Sequence, residues 1–67
     1  MDVYKVREPR LQPEHTGSMK MRLQARVVDE HPKCDTGDWI TTSRVVSVNF
    51  ARRFVITASG NMYYWDD

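Results

Sequence analysis

Between Met19 and Val27 apolar and polar residues alternate without a break. Met19, Met21, Leu23, Ala25 and Val27 fall on one side, Lys20, Arg22, Gln24 and Arg26 on the other. A period of two over this length is the mark of a half-buried strand; wound as a helix, the same order would scatter its apolar residues around the axis. Asp29-Glu30-His31-Pro32 ends the strand, and residues 29–38 make a polar connection closed by Asp35-Thr36-Gly37-Asp38. From Trp39 the chain is rich in β-branched residues, but the phase is broken: Ile40, Val46, Val48 and Phe50 share parity with Arg44. A bulge near Ser43-Arg44, or a strand bent across two sheets, reconciles this.

Asn49 to Arg53 is the next reversal, and Phe54 to Ala58 a strand with Phe54, Ile56 and Ala58 on one side. Ser59-Gly60-Asn61 reads as a tight turn that lets Met62 to Trp65 pair back. The stretch from Gly37 to Trp65 is therefore expected to hold three antiparallel strands. It contains six of the seven aromatic residues, which places most of the expected core there. Upstream, residues 2–7 have the composition of a short edge strand, whereas Pro9, Pro13 and Gly17-Ser18 make 8–18 a loop.

The expected organisation is an N-terminal segment, 1–18, followed by one small β domain, 19–67. The fold class is all-β, with four to five strands. An SH3-like partly open barrel leads, a strongly twisted antiparallel sheet is close to it, and a flat meander that dimerises edge to edge comes second.

Length changes this picture in one respect. A chain of 67 residues buries only about 60% of the surface exposed when unfolded. A lone cysteine, Cys34, permits no internal disulfide, so size favours a homodimer. The single thiol and the lack of an apolar leader or span point to a soluble, cytoplasmic protein without a membrane role. The net charge of +1 is not that of a dedicated polyanion binder, but its distribution is uneven. Residues 1–28 hold six basic and three acidic side chains, 29–38 four acids against Lys33, and 39–65 three arginines and no acid.

Candidate chemistry is sparse. His31, Cys34, Asp35 and Asp38 lie close together, but a structural zinc site takes four Cys or His ligands, and the other histidine, His15, is distant. The plainer reading is a polar turn with Cys34 as a small buried residue. As a nucleophile Cys34 lacks a converging base and oxyanion donors. No metal, cofactor or enzymatic activity is expected. The basic face of the 19–27 strand offers Lys20, Arg22 and Arg26, which Arg44, Arg52 and Arg53 join if the sheet curls. Tyr63 and Trp65 alternate with Met62 and Tyr64, so one pair faces outward. Arg22, Arg26, Arg44, Arg52, Arg53, Tyr63 and Trp65 are the candidate partner-binding residues, against the plainer readings of a solvated strand face and of rings that close a barrel.

Gly37-Asp38-Trp39-Ile40-Thr41-Thr42-Ser43, with Val45-Val46, Val55-Ile56-Thr57 and Gly60-Asn61-Met62-Tyr63, resembles short uncharacterised accessory proteins of bacteriophages and prophages. The likeness covers residues 37–64. It implies an accessory factor that binds and inhibits or modulates a host protein, including components of bacterial defence. The expected function is thus a small non-enzymatic protein-binding module. The alternative is a small nucleic-acid-binding β-barrel that uses the basic strand face.

Overall fold

A computed structural model describes residues 1–17, 19–28, 31–32 and 35–66. Five strands follow one another around a closed barrel: β1 (Val3–Pro13), β2 (Met21–Val27), β3 (Trp39–Asn49), β4 (Phe54–Thr57) and β5 (Met62–Tyr64). Each strand reverses the last, so the first and fifth run in the same direction. The ring must then close through a parallel pair, and it does so at Val3↔Met62, Tyr4↔Tyr63 and Lys5↔Tyr64. All other pairings are antiparallel. The all-β class and the small barrel expected from the sequence are what forms.

β3 belongs to two sheets. Its first half pairs with β2 and its second half with β4. Two bulges make the bend. Arg22 faces Arg44 and Gln24 faces Thr41, so Thr42 and Ser43 together oppose Leu23. The hydroxyl of Thr42 repairs the ladder there: its Oγ1 accepts from Leu23 N at 3.1 Å and donates to Ser43 O at 2.8 Å. Val46 is the second extra residue, lying between Val45↔Thr57 and Ser47↔Ile56. The broken phase in the sequence is the trace of these bulges.

The N-terminal segment departs from expectation. Residues 8–13 are not loop: β1 continues through them to Pro13. Glu8, with φ of 53°, and Pro9 together oppose Ala25, which is a further bulge. A proline that occupies a bulge or a strand end costs no ladder hydrogen bond, and Pro9 and Pro13 take those two positions. Nor is β1 an edge, since β2 and β5 flank it.

The core consists of Tyr4, Val6, Leu23, Ala25, Val27, Ile40, Val55, Tyr63 and Trp65, with Leu11 and Val45 packed against it. Five of these nine precede residue 39, so the core is shared around the ring rather than concentrated in 39–65. Met21, Leu23, Ala25 and Val27 face inward as the alternation requires, while Met19 lies before the strand and is 96% exposed. In β4 the inward residues are Val55 and Thr57, which leaves Phe54 and Ile56 on the outside.

Candidate functional site

Strand register sorts the outward side chains into two faces of different chemistry. On β1, β2 and β3 three cross-strand rows form: Arg7–Arg26–Trp39, Arg10–Gln24–Thr41 and Gln12–Arg22–Arg44. Five arginines thus share one face with a tryptophan. Cζ of Arg10 lies 5.2 Å from the Trp39 ring centroid and Cζ of Arg26 4.9 Å, both within cation–π range. Two carboxylates temper the charge. Glu14 Oε1 lies 3.6 Å from Arg22 Nε and 3.7 Å from Arg44 Nε. Glu8 Oε2 approaches Arg26 Nε to 2.7 Å, an ionic contact without the alignment of a hydrogen bond. Exposed pairs of this kind contribute no more than about 1 kcal/mol each. Their effect is to hold the guanidiniums in place.

The other face lies outside β5, β4 and the second half of β3. Val3–Met62–Ile56–Ser47 forms one row and Lys5–Tyr64–Phe54–Asn49 the next. Val46 stands beside them, 61% exposed. Met62, Ile56, Tyr64 and Phe54 are half-buried, although they point away from the core.

The structure brings Arg22, Arg26 and Arg44 together, as the curled sheet predicts. Arg52 and Arg53 do not join them: they sit in the β3–β4 turn, where Arg53 N donates to Phe50 O and Arg52 N to Asn49 Oδ1. Tyr63 and Trp65 are a correction. Only 4% and 6% exposed, they close the barrel and are not available to a partner. The outward pair is Met62 and Tyr64. Arg7 and Arg10 sit on opposite parity in the sequence, and only the Glu8–Pro9 bulge sets them on one face with Trp39.

Between the two sheets lies a cleft of about 350 Å³. Part of its lining is aromatic: Tyr4 and His31 rings are 4.4 Å apart, Tyr4 and Tyr63 5.5 Å, and Trp39 lines it as well. The lining also carries Thr41, Ser43, Ser59 and Asn61. A hydroxyl network backs it, with Ser43 Oγ donating to Ser59 Oγ at 3.2 Å and Thr57 Oγ1 2.9 Å from Ser59 Oγ. Burial, then the charge of Asp2 and a hydrogen bond to it, raise the Tyr4 phenol above its ordinary pKa, so it is neutral at physiological pH.

Among the described residues no group of three or more His, Cys, Asp or Glu is placed to hold a metal. Cys34, in the His31–Asp38 cluster, lies outside the described residues. Among those described, no helix is long and apolar enough to cross a membrane. Comparison with protein-family models, with curated proteins and with solved structures finds no match to this chain.

Proposed function

We propose that this chain is a non-enzymatic protein-binding module that works through the outer face of β5, β4 and the second half of β3. The observation that carries the reading is the pair of apolar rows there, with Val3, Met62 and Ile56 in one and Tyr64 and Phe54 in the other. The solvent side of an antiparallel sheet is ordinarily polar. An apolar patch on a rigid barrel is what a partner covers, and Tyr and Phe are favoured at the centres of such interfaces. The resemblance of residues 37–64 to phage accessory proteins supports a host protein as that partner, inhibited or modulated in the cytoplasm by occupation of its surface. In a homodimer the same face is the seam, since ring closure takes β1 out of the edge position.

Val46→Lys and Ile56→Lys test this. Both positions face outward, so the barrel stays folded, and circular dichroism checks it. Capture of the host partner from bacterial lysate is expected to fall at least about tenfold for either variant. Light scattering is expected to show self-association lost as well. Capture that survives both substitutions undamaged would remove the reading.

A second reading, nucleic-acid binding on the arginine face, is favoured by one arrangement: Trp39 flanked by the guanidiniums of Arg10 and Arg26. Stacking on an exposed ring beside cations is how barrels hold single strands. Binding should then weaken steeply with salt as counterions are released. Salt-insensitive or absent gel shifts with DNA and RNA exclude it.

A further inference from the structure

We propose that the cleft between the two sheets is a nucleotide site, with the base in the cleft and its phosphate on Arg10 and Arg26. The inference deepens the second reading above and rests on the same rim.

Three observations converge on it. First, the described residues that line the cleft carry no carboxylate, lysine or arginine, so the buried part of its occupant is neutral. Second, its walls are matched to a planar ring with polar edges. The rings of Trp39 and His31 line it together with the Thr41 and Ser59 hydroxyls and the Asn61 amide. A plain benzene ring would displace water from Thr41 and Asn61 without replacing its hydrogen bonds. A nucleobase supplies both a ring face and polar edges. Third, positive charge lies beside Trp39. Trp39 lines the cleft and also holds Arg10 and Arg26 within 5.2 Å and 4.9 Å of its ring. A base that enters past Trp39 therefore leaves its phosphate beside two guanidiniums. Arg10 has no ion pair among the described residues, whereas Arg26 shares Glu8. Arg10 is accordingly the main phosphate contact. A lining without charged side chains among the described residues, with guanidiniums beside Trp39, is complementary to a nucleotide as a whole. Its volume of about 350 Å³ has room for one base and its sugar. The nucleotide is either free or one unit of a single strand.

The test is a two-dimensional ¹⁵N–¹H NMR titration of the full chain. The probes are ribonucleoside monophosphates with each common base, adenosine, inorganic phosphate, N-acetyl-tyrosinamide and a single-stranded tetranucleotide. At least one monophosphate is expected to shift the amides of Thr41, Ser43, Ser59 and Asn61. Arg10→Ala should weaken it about tenfold and leave adenosine unchanged. Thr41→Arg, at an exposed strand position, should abolish both by filling the cleft.

No shift at about 5 mM of any monophosphate overturns the proposal. So do N-acetyl-tyrosinamide binding as tightly as the nucleotides, and phosphate alone reproducing every change. A tetranucleotide that binds more tightly than the monophosphate marks a strand as the source. One that does not bind, beside a monophosphate that does, marks a free nucleotide and removes the strand-binding reading alone. If the tetranucleotide shifts the arginine rows and the cleft amides stay still, strand binding stands and the cleft assignment falls.

Discussion

Two residues in left-handed backbone conformation flank β4, and they call for opposite substitutions. Gly60, with φ of 88°, ends a three-residue loop in which Gly60 N donates to Thr57 O at 2.9 Å. A Cβ there meets nothing within 4 Å, so the cost of Gly60→Ala is conformational alone, about 1 kcal/mol. In a chain this short that loss lowers Tm by several degrees, which calorimetry reads directly. Arg53 takes φ of 61° with a side chain attached. Arg53→Gly relieves that strain and is expected to raise stability by a few tenths to about 1 kcal/mol, offset in part by the entropy of the unfolded glycine. A denaturation midpoint that falls on Arg53→Gly would mean its side chain makes a contact worth more than the strain. Tyr4 gives a residue-scale pH dependence. Its folded pKa lies above the ordinary 10.0, so its contribution to stability is complete below that value and is lost as pH rises through the folded one. Urea midpoints should decline in that alkaline window, and Tyr4→Phe should flatten the decline.

At the scale of elements, β2 is the best-specified piece of the chain. Its alternation is legible because it carries no bulge between Met21 and Val27, so each inward position in sequence is inward in space. Leu23, 1% exposed, is its deepest large side chain. Leu23→Ala should cost about 3 kcal/mol, a large part of what so small a domain has, whereas Met19→Ala should cost almost nothing; chemical denaturation of the two variants is the check. β1 and β3 were less legible for one shared reason. A bulge inserts a residue and reverses inward and outward beyond it. The prolines of β1 read as loop signals because nothing local reveals that one sits in a bulge and the other at a strand end. The expected bulge near Ser43-Arg44 was readable only because Arg44 broke an otherwise apolar parity.

At the scale of the molecule, closure rests on the few residues at the two ends of the ring. Val3, Tyr4 and Lys5 pair with β5, and Lys5 Nζ also meets Asp66 Oδ2 at 2.6 Å. Removing residues 1–5 takes away the closing pairs and the Tyr4 ring that packs on Tyr63 at 5.5 Å. The truncated chain is expected to lose its cooperative thermal transition, and a truncated chain that melts like the full one would show that closure contributes little. Closure also separates the surface into its two faces. One outer face is arginine-rich because β1 and β2 are. The other is apolar because β4 places Val55 and Thr57 inside and Phe54 and Ile56 outside.

The sequence by itself determined the strands that carry unbroken alternation, the turn glycine at Gly60, and the all-β class. These depend on residues near one another in the chain, where period and propensity act directly. It also placed Arg22, Arg26 and Arg44 on one prospective surface. The tertiary structure decided which ring faces inward. Tyr63 and Trp65 fill the barrel and Met62 and Tyr64 do not, because the register of β5 against β1 and β4 fixes that choice and no local pattern does. It likewise decided that Arg7 and Arg10 come to one face across a bulge, that Trp39 lies against two guanidiniums, and that a cleft with no charged side chain in its described lining opens beside it. Each of these joins residues from separate strands, and only the closed ring brings those strands together.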